Sequence, residues 1–193
     1  MKKERITSID ILRALALFMI CFYHWFSYMG TYIGVVIFFA LSGYLVTDGL
    51  LKKEFSIWKF IKRRMEKIYP SLIAVVMVSS VILFFLNGGL EWKYKMSAFA
   101  SIAGVNNIYQ IVSKMSYFDN FGMILPLTHI WALSFQLQMY ILFPFILKGM
   151  KKLNLKNRTI GIIFLGISLL SAVWMGYKFY MGSDFSRIYY GTD

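Results

Sequence analysis

The stretch ITSIDILRALALFMICFYHWF, residues 6–26, is an apolar run of membrane-spanning length that carries three ionisable side chains, Asp10, Arg13 and His24. Such groups are costly in hydrocarbon, so an intramembrane set of them points to function by default. Asp10 and Arg13 are three residues apart and can pair on one face of a helix. His24 follows Arg13 by eleven residues, close to three turns at about 3.6 residues per turn, which brings all three to the same face. The helical rise sets Arg13 and His24 about 16 Å apart, too far for contact, so the face predicts a polar path through a bundle. An imidazole titrates near neutrality and is the side chain best suited to take a proton from a hydroxyl. The plainer reading is an Asp–Arg pair snorkelling at the membrane interface and one histidine hydrogen-bonded in the core.

The elements that position these residues are membrane helices. Of 193 residues, 59% are hydrophobic, 19% aromatic and only 16% charged, beyond the apolar share of about 45–50% usual in soluble domains. The expected fold class is all-α, a polytopic transmembrane helix bundle of about five spans, at roughly 8–29, 32–51, 69–87, 127–147 and 160–181, each near the ~20 residues a helix needs to cross. The net charge of +12 could point to nucleic acid, but most of the 21 Lys and Arg gather in three blocks between apolar segments, so no nucleic-acid partner is expected. The blocks are Lys2, Lys3 and Arg5; Lys52, Lys53, Lys59, Lys62, Arg63, Arg64 and Lys67; and Lys148, Lys151, Lys152, Lys156 and Arg158. They fall at alternate ends of the five spans, which predicts a cytoplasmic N-terminus, with the 52–67 and 148–158 loops also cytoplasmic and the 88–126 and 182–193 segments outside.

The first apolar run is longer than the 7–15 residues usual in a signal peptide, and MGTYIGVV offers no clear small-residue cleavage site, so a retained helix is expected. The single Cys21 excludes an intramolecular disulfide and lacks a partner for a cysteine-based metal site, and no metal is expected. No repeat or flexible linker divides the chain, which reads as one membrane unit over 1–193. Segment 88–126 is long for a helix connection; MSAFASIAGVNNIYQIVSKM within it is too interrupted to span comfortably and is expected as a surface segment with an amphipathic helix, with a dip into the bundle as the alternative.

Five stretches carry a resemblance. SID at 8–10 with Arg13, ten residues and His24 resembles the opening of the acyltransferase-3 family of integral-membrane O-acyltransferases. GVVIFFALSGYLVTDGLL at 34–51 is similar to that family's second helix, and FIKRRMEKIYP at 60–70 to its basic segment. PLTHIWALSFQLQMYILFP at 126–144 resembles its P-L-x-H-x-W-S-L-x-x-E-x-Q-F-Y segment, and RIYYGTD at 187–193 the start of its Y-Y-G-T-D-T-R segment. A lone R-x10-H would be weak, whereas five motifs in order over nearly the whole chain are specific. The GYLVTD and RIYYGTD wording is most similar to the peptidoglycan O-acetyltransferases of Gram-positive bacteria, which continue into further helices and an extracellular hydrolase-like domain. The present chain is therefore expected to be the N-terminal part of a bacterial multi-pass cell-membrane acyltransferase, incomplete relative to the family.

The resemblance implies movement of an acyl group, usually acetyl, from cytoplasmic acetyl-CoA (acyl-CoA) to hydroxyls of an extracytoplasmic glycan acceptor, with no bound cofactor. The partners implied are the lipid bilayer, acyl-CoA, that glycan, and the missing C-terminal helices and extracellular domain. His24 is then the general base, Arg13 orients the donor or stabilises charge on the thioester oxygen, and Asp10 holds Arg13. Arg63, Arg64 and Lys67 are candidates for the donor phosphates, although a positive-inside anchor on anionic lipid accounts for them as well. Asp48 and His129 are supporting candidates, while Ser42 and Tyr44 read as packing. At the family's Glu position this chain has Gln136, with Gln138 kept, and a glutamine can hydrogen-bond but hold no charge. Lys67 replaces the last arginine of the basic segment and loses bidentate geometry. The competing class is an ion- or proton-coupled transporter component, and a third is an inactive truncated fragment.

Overall fold

The computed structural model describes residues 7–26, 33–51, 55–113, 126–183, 187, 190 and 191. All regular elements among them are helices: α1 (Thr7–Phe26), α2 (Ile33–Leu51), α3 (Ile57–Asn87), α4 (Trp92–Ile102), α5 (Asn106–Val112), α6 (Ile130–Lys152) and α7 (Asn157–Tyr180). Five of them, α1, α2, α3, α6 and α7, are long and apolar enough to cross a membrane, and the chain is a multi-pass membrane protein. The chain divides into two compact units, residues 1–54 and 55–193.

The first unit is the α1–α2 pair. Gly34 lies beside Ala16, Met19 and Ile20, and Phe38 lies beside Arg13, so α2 runs antiparallel to α1. The helices meet through small residues: Ala16 is fully buried, and a Cβ on Gly34 would stand 2.7 Å from the Ala16 carbonyl oxygen and 2.9 Å from Met19 Cβ. Between apolar helices in lipid, dispersion and close backbone approach supply the attraction that water would otherwise drive, and glycine permits the approach. The remaining apolar side chains of α1, such as Leu15, Leu17 and Phe18, face outward.

The second unit is built on α3 and α6. The sequence places the third span at 69–87, with the basic block in a loop before it; the helix instead begins at Ile57 and carries Lys59, Lys62, Arg63, Arg64 and Lys67 on its first turns. Ser56 caps it, accepting from the Lys59 N–H at 3.4 Å, and Lys62 faces Glu66 across one turn at 3.8 Å. Ile57, Phe60, Ile61 and Ile68 recur at helical spacing, so this segment has an apolar stripe of its own. Pro70 sits inside α3 without ending it. The αL residue Gly88, at φ 68°, closes the other end.

Helix α6 runs antiparallel to α3, which the ring contacts register: Lys151 Nζ over Phe55 at 5.7 Å, Trp58 against Phe145 at 6.3 Å, and Phe60 against Tyr140 at 6.2 Å. After the turn at Asn154, whose φ is 54°, α7 returns along α6 with Phe164 stacked on Phe143 at 4.9 Å. Segment 92–112 is not a surface layer. It folds back against α3 and α6, burying Tyr94, Ser97, Ala100, Ser101, Asn106, Asn107 and Gln110. The Tyr94 hydroxyl meets Ser79 Oγ at 2.8 Å and Ser80 Oγ at 2.9 Å and donates to the Val76 carbonyl at 3.1 Å. Around this clasp lie Leu72, Val76, Leu83, Leu127 and Ile130.

Candidate functional site

In the first unit α1 is a continuous helix over Thr7–Phe26, so the one-face geometry of Asp10, Arg13 and His24 holds, with about 16 Å of rise between Arg13 and His24. Asp10 lies half-buried in the first turn and His24 lies in the last. The Arg13 guanidinium sits over the Phe38 ring of α2 at 5.9 Å, and the His24 ring meets Tyr23 edge-on at 5.3 Å. Ser42 is buried in α2, as expected of a packing residue, whereas Tyr44 is exposed. Asp48 is half-buried and ten residues past Phe38, hence about 15 Å beyond the level of Arg13 and toward the opposite end from His24.

In the second unit the basic cluster separates by environment. Arg63 and Lys67 are exposed, while Arg64 is half-buried with its Cζ 5.2 Å from the Phe60 ring centre and 4.8 Å from that of Tyr140. Tyr140 accepts a 2.7 Å hydrogen bond on its hydroxyl from Gln136 Nε2. The two glutamines of the QLQ stretch therefore serve different neighbours. Gln138 Nε2 donates to the Gly104 carbonyl at 2.9 Å and to Asn107 Oδ1 at 2.8 Å, fixing the 103–105 turn to α6. His129 is exposed just before α6, and Trp131 meets the Tyr190 ring at 5.6 Å.

A buried amide network surrounds α5, and sequence reasoning misses it as a site. Asn106 Nδ2 donates to the Ser97 carbonyl, Ser97 Oγ and Ser101 Oγ at 2.8–3.1 Å. Gln110 Nε2 donates to Asn106 Oδ1 at 2.8 Å and to the Thr128 carbonyl at 2.7 Å, and Asn107 Nδ2 to the Tyr190 carbonyl at 3.4 Å. Such groups are tolerated in an apolar bundle because each of these amide N–H donors finds an acceptor, although Gln110 Oε1 is buried without a donor among the described residues. The signal for them in the sequence is the interruption of an apolar run by NN and Q.

Ionisable side chains on one face of an apolar helix, with one arginine and a set of buried amides packed between other helices, belong to a polytopic membrane protein that holds polar groups among its helices. The family profile described as acyltransferase domain, of the acyltransferase-3 type, matches residues 6–190, and the chain belongs to that family. Among curated relatives it is 36% identical over 198 residues to the peptidoglycan O-acetyltransferase OatA of Listeria monocytogenes, an alignment covering 99% of this chain and 32% of that protein. A Staphylococcus aureus protein with a provisional O-acetyltransferase name is 35% identical over 202 residues, covering 100% of this chain and 33% of the relative. YrhL of Bacillus subtilis, provisionally named a peptidoglycan O-acetyltransferase, is 35% identical over 97% of this chain and 31% of its own length. The chain thus spans about a third of the length of these relatives. No solved structure matches it.

Proposed function

We propose that the protein to which this chain belongs is a membrane O-acetyltransferase that takes acetyl from cytoplasmic acetyl-CoA and delivers it to hydroxyls of an extracytoplasmic glycan, peptidoglycan in the first instance. The observation that carries the reading is the Arg13–His24 face of α1 in a chain aligned over nearly all its length with relatives named peptidoglycan O-acetyltransferases. His24 takes the proton of the accepting hydroxyl as its oxygen bonds to the acyl carbon. Arg13, held by Asp10 and about 16 Å of helical rise from His24, orients the donor rather than the reacting carbon, and as the new bond forms the bond from the acyl carbon to its leaving group breaks, the leaving group departing with the electron pair. Arg63, Arg64 and Lys67 lie on the cytoplasmic side under the positive-inside rule and meet the phosphates of the donor. Asp48, His129, Gln136 and Gln138 support these groups.

The test is acetyl released from the cell wall of cells expressing the full-length protein at matched membrane levels. His24→Ala should lower the transfer rate by roughly 10²–10⁴-fold, the usual weight of a general base. His24→Gln, which keeps hydrogen bonding but cannot accept the proton comparably, should be almost as defective. Normal acetylation by both variants would overturn the catalytic reading of α1, and a gradient-driven flux lost in the same variants would assign the face to transport.

A further inference from the structure

Three basic residues, Arg63, Arg64 and Lys67, stand close together in α3, yet the structure treats one of them differently. Arg63 and Lys67 project from the exposed face of the helix. Arg64 turns toward α6 and occupies the corner between two rings that stand 81° apart, with its Cζ 5.2 Å from the Phe60 centroid and 4.8 Å from the Tyr140 centroid. Among the described residues these rings are what meets the guanidinium, and neither a carboxylate nor a hydrogen-bond acceptor does. An arginine used for fold stability at partial burial is ordinarily neutralised by an anion or spends its five N–H donors on carbonyls. Here the rings hold the guanidinium and leave its donors for another molecule.

The location adds to this. Tyr140 is ten residues from one end of α6 and twelve from the other, so Arg64 lies beside the middle of that helix. Along α3 it is about 13 Å from the level where Phe55 meets Lys151. Tyr140 is itself fixed: it is buried, its hydroxyl accepts from Gln136 at 2.7 Å, and Phe60 abuts it edge-on.

We infer that Phe60, Tyr140 and Gln136 form a positioning shelf that orients Arg64 as the principal phosphate-recognising group for the acyl donor. The inference rests on the acyl-CoA reading of the proposed function and assigns within it roles that charge alone does not distinguish. Tyr140 and Phe60 present π faces to the cation, and Gln136 fixes the Tyr140 ring. Arg63 and Lys67 add long-range attraction without fixed geometry. The planar fork of Arg64 can then meet two phosphate oxygens at once, a geometry that a lysine cannot supply.

The experiment uses full-length protein in membranes, with acetyl transfer followed as a function of acetyl-CoA concentration. Arg64→Ala should raise the KM for acetyl-CoA about tenfold or more, as expected for loss of a charge-assisted phosphate contact. Tyr140→Leu and Arg64→Lys should each raise it about fivefold, the weight of a partly desolvated cation–π contact, with the effect on KM rather than kcat. A purely structural role for Tyr140 would instead reduce the amount of active enzyme, lowering kcat at unchanged KM. Phe60→Leu and Gln136→Leu provide the same comparison should Tyr140→Leu fail to insert, each expected to raise KM about twofold to fivefold. The control Lys62→Ala, which removes only an exposed Lys62–Glu66 pair, should leave KM unchanged. If Arg64→Ala raises KM while the Tyr140, Phe60 and Gln136 variants do not, the shelf is refuted and the donor reading survives. Should Arg64→Ala itself leave KM unchanged, the phosphate reading of the basic cluster falls with it.

Discussion

Replacing Gly34 by alanine tests the contact on which the geometry of the first unit depends. A Cβ there would lie 2.7 Å from the Ala16 carbonyl oxygen and 2.9 Å from Met19 Cβ, where ordinary contacts are 3.4–4 Å. Restoring 3.4 Å requires α1 and α2 to separate locally by about 0.7 Å, and the first obstacle is backbone, which has no rotamer to escape into. Overpacking of this kind costs about 1–3 kcal/mol. Helix propensity works the other way, since alanine is better than glycine in a helix interior by about 1 kcal/mol. Gly43 and Gly49, on the same helix, have nothing within 4 Å of where a Cβ would stand and provide the correction. The difference between Gly34→Ala and Gly43→Ala cancels the propensity and isolates the clash, so it should be about 1–3 kcal/mol.

The same displacement bears on function, because Ala16 lies on α1 between Arg13 and His24. A misplacement of about 1 Å in a reacting constellation can cost up to 10²-fold in rate. Thermal unfolding of the detergent-solubilised full-length protein, followed by tryptophan fluorescence, reads the stability difference, and wall acetylation at matched expression reads the catalytic one. Gly34→Ala should melt lower than Gly43→Ala and acetylate more slowly. If the two variants melt together and acetylate equally, α1 and α2 do not meet at Gly34 and the packing described for the first unit is wrong.

Arg13→Lys keeps the positive charge but loses the planar fork over Phe38; a severe loss of transfer marks oriented recognition, and near-normal acetylation reduces Arg13 to charge balance. For topology, cysteines placed at Lys62 or Lys152 in a Cys21-free background should resist an impermeant thiol reagent in intact cells while one at Lys93 reacts, and labelling at 62 or 152 would break the five-span topology. Asn106→Ala strips a buried amide from Ser97, Ser101 and Gln110, and should lower the stability of the full-length protein by about 1–3 kcal/mol in the same melting assay. An unchanged melting temperature would show that the α5 network is not assembled as described.

The solvent, the helical class and the number of long spans were legible in the residues alone, because the length and apolarity of a membrane helix are local properties fixed by bilayer thickness and the need to satisfy backbone groups internally. So was the shared face of Asp10, Arg13 and His24, since that follows from about 3.6 residues per turn along one unbroken helix. Where α3 begins was less legible: a run dense in Lys and Arg reads as a loop by charge, while its apolar stripe and the Ser56 cap make it helix from Ile57. The meetings of residues distant in the chain are visible only once the helices are packed. Arg63, Arg64 and Lys67 are equivalent cations in the sequence, and Arg64 is set apart only because Tyr140, 76 positions later, lies against it. Asn106, Asn107 and Gln110 look like interruptions of an apolar segment until Ser97, Gln138 and the Thr128 carbonyl supply their partners. Periodicity encodes which side of a helix is apolar, but the identity of the neighbour on that side depends on how the helices pack, and no single segment carries that information.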